Sequence, residues 1–469
     1  MTVVANESEP GFLRRIDELV RREAQRRGAT FSDLMLRLPS IYPTVVIAAL
    51  DRLATAGLLP QLVAERVQQQ ARKPVPRVSD ARSLLPVPHP LDYEWRFTAD
   101  TAHALLNRAT DLTVRGGDIL LFGTPGVAAE ALTLPIARRL AFLAEDNAVT
   151  RRVISLNRAT GAPLAIGNCS AGLPQDSADA VLLDPPWYMD FVRPMLVAAA
   201  AACRSQGVIL LSVPPAATRP SAEADRSGTI NFAYRLGLEL IGDWPLGLSY
   251  ETPFFETNAL AAASLHPPAR WRRGDLLIFR KTRPASRPAP ATSRRRDWVE
   301  VSVGRMRLFI RGVAGDPGGS HGLIPIVSGD VLSSVSRRDP RRRMASVWTS
   351  GNRIFRTDNP RLVLEAALSH SSAANGASAQ PAFWGTLHER EALDRVGELI
   401  GRIAEREADE ERGAFADPTE WSEHWTSRSE TSFSRSAATI FGGATCPTRP
   451  SRQARSAFTS PCSPSRSSR

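Results

Sequence analysis

Residues 181–188 read Val-Leu-Leu-Asp-Pro-Pro-Trp-Tyr. An apolar run ends in an acid, then come two prolines and two aromatics. Ligands of open α/β sheets bind at the carboxyl ends of strands, so a strand ending here would deliver the Asp184 carboxylate to a ligand. Pro185 and Pro186 remove two backbone donors and stiffen the loop. Their carbonyl oxygens are then free to accept hydrogen bonds from an amine. Trp187 or Tyr188 offers a face on which a planar base can stack. The structural alternative is a tight strand-to-loop turn with buried aromatics.

A second loop of interest lies upstream, where residues 119–126 read Ile-Leu-Leu-Phe-Gly-Thr-Pro-Gly. Gly123, Thr124 and Gly126 follow an apolar strand and precede a helix, and glycine lets a backbone approach a ligand closely. Glu145 and Asp146 end the next apolar run, where dinucleotide sites place an acid on the ribose hydroxyls. Asn168 follows in the next loop and can both donate and accept. Its neighbour Cys169 reads as a small buried residue.

Taken together, these residues resemble class I S-adenosylmethionine-dependent methyltransferases of the N6-adenine and N4-cytosine type, whose signature is a strand ending in Asp or Asn, then Pro-Pro, then an aromatic. The resemblance implies that Asp184 and the Pro185 carbonyl hold an exocyclic amine. It places base stacking on Trp187 or Tyr188, with Pro186 completing the catalytic loop. It implies S-adenosyl-L-methionine as cofactor, bound by Gly123, Thr124, Gly126, Glu145, Asp146 and Asn168. Phe97, in the lead-in Trp95-Arg96-Phe97-Thr98, would pack near that cofactor, or serve as a core aromatic. The glycine loop departs from the family pattern, because only two glycines remain and Pro125 intrudes. Catalysis would be mainly positioning plus electrostatic help to a developing ammonium, on a base presented single-stranded or flipped.

In layout the chain is also similar to branched-chain polyamine synthases, which join an N-terminal winged helix to a Rossmann-like domain with a strand ending Asp-Pro-Pro-aromatic. Those aminopropyltransferases carry acids in the glycine loop and around the polyamine. Here the loop reads Gly-Thr-Pro-Gly, and Asp190 and Glu251 are the nearby acids to consider. A third possibility is a degenerate, non-catalytic methyltransferase fold that serves as a binding module.

The elements that must position these residues follow from hydrophobic periodicity. Residues 1–70 hold three helical segments, 12–27, 30–38 and 44–59, and resemble a winged-helix-like unit. The third is too apolar, at Val45 to Leu50, to offer base edges many polar side chains. Residues 71–90 read as a Pro/Arg linker. Strand-helix alternation over 91–283 predicts an α/β, Rossmann-like, mostly parallel sheet, with strands at 118–123, 140–144, 180–184, 207–213 and 275–280. Helices are expected at 127–139, 191–204 and 222–236. A linker at 284–297 leads to a small β-rich accessory domain, 298–370, then a linker and charged helix, 371–412. The tail, 413–469, is dominated by Ser, Arg, Thr and Pro and reads as disordered. Only one Rossmann half separates the glycine loop from Asp184, so target recognition must come from the first ~70 residues or from beyond Trp298, each of ordinary domain size.

The chain has 469 residues and a net charge of +11. Such a surface attracts polyanions, although GC-rich coding would produce the same arginine skew. The local run Arg337, Arg338, Asp339, Pro340, Arg341, Arg342, Arg343 suits phosphate contact, or is a solvated basic loop. A nucleic-acid partner, DNA or RNA, is the expectation. The four cysteines form no zinc-like spacing, so no metal is expected. No apolar run reaches the ~18 residues of a membrane span and no signal peptide is evident, which points to the cytoplasm.

Overall fold

The structure is a computed structural model that describes residues 9–413, apart from 39, 75–83, 114–115, 135–138, 163, 170–173, 285–296, 314–321 and 375–386. The tail beyond 413 and most of the 284–297 linker therefore lie outside the described residues. Among the described residues no helix is long and apolar enough to cross a membrane.

Four helices open the chain: α1 (Glu9–Ala24), α2 (Phe31–Arg37), α3 (Pro43–Thr55) and α4 (Gln61–Ala71). The Thr30 hydroxyl accepts from the Asp33 amide while Asp33 reaches back to the Thr30 amide, a reciprocal cap that satisfies two orphan donors of α2. Apolar residues at helical spacing, Phe12, Ile16 and Val20 of α1 with Val46, Leu50 and Leu53 of α3, meet in one core. That core also takes Leu260, Leu265 and Trp271 from the sheet domain, so the helical unit is docked rather than tethered. The described residues of 9–74 contain no strand.

The central sheet has seven strands in the order β3-β2-β1-β4-β5-β7-β6. These are β1 (Asp118–Phe122), β2 (Arg139–Ala144), β3 (Leu164–Asn168), β4 (Ala178–Leu183), β5 (Cys203–Val213), β6 (Leu238–Ser249) and β7 (Arg273–Lys281). The first five run parallel, and β7 pairs antiparallel with both β5 and β6. The fold is thus Rossmann-like and mostly parallel. Its inner strands carry continuous apolar runs, such as residues 119–122 and 180–183, because both faces are covered. One face packs against α5 (Ala99–Asp111), α6 (Pro125–Ala131) and α7 (Ala148–Thr160), and the other against α8 (Met189–Ala202) and α9 (Ala222–Arg235). A further helix, α10 (Phe254–Ala262), follows β6.

Two sequence expectations change. The helix expected over 127–139 ends at Ala131. Pro135 lacks the N–H that would bond the Ala131 carbonyl, and a residue before proline avoids helical angles. Strand β6 was not anticipated, because Pro245 and two glycines interrupt its alternation; it is an edge strand with two register shifts, where proline is tolerated.

Beyond Trp298 lies a five-stranded antiparallel sheet, ordered β10-β12-β11-β9-β8: β8 (Trp298–Val303), β9 (Met306–Arg311), β10 (Ile324–Pro325), β11 (Val347–Thr349) and β12 (Ile354–Arg356), with α11 (Pro360–Ala374) and α12 (Leu387–Glu411). Arg307 of β9 is buried and pairs with Asp92 and Glu300. His89 is fully buried, 4.2 Å from the Phe309 ring. Residues 84–92 are thereby pinned to this sheet, which fixes the lead-in Tyr93, Glu94 and Trp95. Arg353, fully buried, pairs with Asp330, Glu407 and Glu410, and this network ties α12 to the β11–β12 turn.

Candidate active site

Strands β1 and β4 are parallel neighbours, and Phe122 is the register partner of Leu183. Gly123 and Asp184 therefore leave the sheet side by side at its carboxyl edge. Gly123 turns with φ +66°, and a Cβ there would stand 3.1 Å from the Met195 methyl carbon, so glycine alone fits without strain.

Asp184 is half-buried. Its Oδ1 accepts from the Ser212 hydroxyl of β5 and, at 3.1 Å, from the Tyr250 hydroxyl just after β6. Burial pushes its carboxyl up to about 7; the Ser212 and Tyr250 donors pull it back part of the way, and the charge of Glu94 adds to the rise. Among the described residues none donates to Oδ2. Tyr250 is held well above its usual range, mainly by burial, so it stays a neutral donor.

The proline loop is tied in two places. The Tyr188 amide donates to the Pro186 carbonyl at 2.6 Å, and Arg219 Nη2 donates to the Trp187 carbonyl at 2.5 Å. The Pro185 carbonyl receives no donor from the described residues. Trp187 stands edge-on to Tyr250, with ring centres 5.6 Å apart, and Phe97 lies against the same tyrosine at 4.7 Å. Gly274 of β7 permits this packing: a Cβ there would lie 3.0 Å from Tyr250 and 3.1 Å from Trp187.

Gly123, Asp184 to Tyr188, Arg219 and Tyr250 line a cleft of about 1800 Å³. One end carries Gly123, Pro125, Phe142, Ala144, Glu145, Asn147 and Cys169. Asp184 to Tyr188, Tyr250, Trp95, Phe255 and Arg272 make the middle. Tyr93, Asp190, Phe191 and the accessory-domain residues Ser334 to Arg338 make the rim. The Arg272 guanidinium lies 3.7 Å from the centre of the Trp95 ring. Behind it is Glu256, fully buried, 3.4 Å from Arg272 Nη2, and pushed up to about 7 by burial, with Arg272 pulling the other way.

The cleft gathers Asp184, Pro185, Pro186, Trp187, Tyr188, Gly123, Glu145, Arg337 and Arg338. It does not include Phe97, Thr124, Gly126, Asp146, Asn168, Arg341, Arg342 or Arg343, also read from sequence as binding residues. Thr124 is buried, with an unpartnered hydroxyl. Gly126 lies within helix α6, against Arg96. Asp146 is exposed and pairs with Arg151. Asn168 is exposed at the end of β3, and its neighbour Cys169 faces the cleft instead. Phe97 is buried behind Tyr250. In the arginine run, Arg341 is held by Asp339, and Arg342 is buried 4.6 Å from the Trp348 ring centre. Arg343 is exposed and outside the cleft.

Sequence reading did not find Ser212, Tyr250, Arg219, Arg272 or Glu256. Ser212 is a lone hydroxyl in an apolar strand, which is a usable signal because a buried hydroxyl needs a partner. Tyr250 lies 66 positions from Asp184, and nothing local announces it.

The fold is a Rossmann-like α/β sheet with a cleft at the carboxyl ends of β1, β2 and β4. No family model matches the chain, and no curated protein matches it. Among solved structures it is similar to the branched-chain polyamine synthase of Thermus thermophilus, in complex with N4-aminopropylspermidine and 5′-methylthioadenosine, at 16% identity over 59% of this chain and 90% of that one, TM-score 0.44. It is also similar to a methyltransferase of Pyrococcus furiosus, at 14% identity over 44% and 92% of the two chains, TM-score 0.29. A TehB-like SAM-dependent methyltransferase of Corynebacterium glutamicum matches at 16% identity over 38% and 87%, TM-score 0.26. Similarity at this level fixes no reaction.

Proposed function

We propose that this protein transfers a methyl group from S-adenosyl-L-methionine to an exocyclic amino group of a planar base, with adenine in DNA or RNA as the substrate. One observation carries the reading. Asp184 Oδ2 and the Pro185 carbonyl are two acceptors without donors among the described residues, at the strand edge beside the Gly123 turn. A primary amine has two N–H groups to give them.

The residues at the other end fit the cofactor. The Glu145 carboxylate lines the cleft and has no bond to a described residue, so it is available to the ribose hydroxyls. The Gly123 turn admits close backbone approach. Bound there, S-adenosylmethionine supplies an electrophilic sulfonium methyl. Asp184 and Pro185 orient the amine so that its lone pair points away from both acceptors, toward that methyl. Asp184, poised near neutrality, can take up the proton that the alkylated nitrogen releases. Trp187 and Tyr188 give the base a flat wall.

A polyamine is a polycation and would require unpaired acids. Apart from Asp184 and Glu145, which the methyl-transfer reading uses, three nearby acids are engaged: Asp190 with Arg337, Glu94 with Arg96 and Glu251 with Arg270. Calorimetric titration of the purified chain tests the reading. It expects binding of S-adenosylmethionine in preference to the decarboxylated form, and N-methylated nucleosides by mass spectrometry in cells expressing the protein. Preference for the decarboxylated form would favour aminopropyl transfer. Binding of neither would make the fold a non-catalytic module.

A further inference from the structure

The rim of the cleft is a cage built for a cation and already filled by one. Tyr188 and Phe191 present their rings, and Asp190, in the first turn of α8, presents its carboxylate. Aromatic faces beside an acid attract an organic ammonium. The Arg337 guanidinium occupies that place. Its Nη1 lies 2.7 and 2.9 Å from the two Asp190 oxygens, and its central carbon is 5.4 Å from the ring centres of both Tyr188 and Phe191.

The loop that delivers Arg337 is held on both sides. The buried Arg342 donates to the Val335 carbonyl at 2.8 Å. The Arg338 amide donates to the Ser336 hydroxyl at 3.2 Å, and the Asp339 amide to the Ser336 carbonyl at 3.1 Å. Two consequences follow for charge. Asp190 is neutralised, while Arg338, on the cleft wall, has no acidic partner among the described residues, so the rim is net positive. Arg337 itself spends only Nη1; its Nε and Nη2 have no acceptor among the described residues. An arginine fork with free donors suits phosphate oxygens.

We propose that Arg337 determines the substrate class: by filling the Tyr188–Phe191–Asp190 cage it shuts out polyamines, and with Arg338 it takes the phosphate of a nucleotide whose base reaches Asp184. This rests on the reading that the cleft holds an amino-bearing base.

The test uses the full chain and three probes: adenosine 5′-monophosphate, adenosine and spermidine, each titrated with and without S-adenosylhomocysteine. The wild type should bind the monophosphate about tenfold more tightly than adenosine, as expected for one charge-assisted contact, and spermidine weakly. Arg337→Gln should lose that advantage and gain roughly tenfold in spermidine affinity. Adding Asp190→Asn should abolish the gain. Arg337→Lys, which keeps the charge, should keep the wild-type order. A merely structural role would weaken all probes alike. The proposal is overturned if Arg337→Gln leaves the ratio of monophosphate to spermidine affinity unchanged, if the spermidine gain survives Asp190→Asn, or if no variant binds any probe. Failure of S-adenosylhomocysteine to bind the wild type would sink the methyl-transfer reading alone, since the ratio is still read without it.

Discussion

The Tyr250 hydroxyl donates to Asp184 Oδ1 at 3.1 Å, across 66 positions of sequence. Tyr250 therefore works against the burial that raises the carboxyl, as does Ser212 on the same oxygen. Both favour the charged form that accepts an amine N–H.

Tyr250→Phe keeps the ring and removes the donor, so the Asp184 carboxyl should rise further above about 7. The acid limb of kcat/KM against pH should move up, with several-fold loss at pH 7 and recovery above pH 8. Ser212→Ala should act in the same direction. A profile whose acid limb does not move would show that the Asp184 carboxylate is not the essential acceptor.

Asp184→Asn should abolish turnover and stabilise the protein at alkaline pH. The sign follows from proton binding. With its carboxyl raised from 3.8 to about 7, the folded state holds the proton more tightly than the unfolded state. Wild-type stability therefore falls as pH rises from about 4 to about 7, then levels. The variant lacks this loss. Because the carboxyl also faces the cleft, the advantage at pH 8 should be on the order of 1–2 kcal/mol, less than the full shift implies. It should shrink as pH drops toward 5. Urea midpoints over that range measure it, and an advantage that grows toward low pH would contradict the assignment.

Gly274→Ala places a methyl against Tyr250 and Trp187. Overpacking of this kind costs about 1–3 kcal/mol, and both rings must shift. Turnover should fall tenfold or more, while S-adenosylhomocysteine affinity, set at β1 and β2, stays within a factor of about two, well under 1.4 kcal/mol. Kinetics paired with calorimetry separates the two effects.

Arg353→Met would leave Asp330, Glu407 and Glu410 buried without their shared cation. Breaking such a network should cost about 3–5 kcal/mol, read as a lower denaturation midpoint of the accessory domain. A loss under about 1 kcal/mol would mean the three acids are neutralised by other means.

Strands with continuous apolar runs and an acid or glycine at the end were legible in sequence, as was the contiguous loop from Asp184 to Tyr188. Strand β3 was not, because its Leu-Ala-Ile-Gly-Asn carries little apolar signal. The partners of Asp184 were invisible because topology brings them, not spacing: Ser212 from β5 and Tyr250 from beyond β6. The arginine run shows the converse error. Local charge density says nothing of direction, and here one member is buried on Trp348, one is tied to Asp339, and two face the cleft.

Strand β7 runs against its neighbours, so its first residues arrive at the edge where the parallel strands end: Asp275 pairs with Val213. Only by this reversal does Arg272 reach the cleft and Gly274 come against Tyr250 and Trp187. A nascent chain or proteolytic fragment that stops short of residue 272 carries the whole Asp-Pro-Pro run yet has no floor beneath it. One stopping short of 337 has the floor but an unguarded acidic rim. Competence is thus acquired in stages during synthesis, and a product that stops short of 337 should be the promiscuous one, its rim open to organic cations.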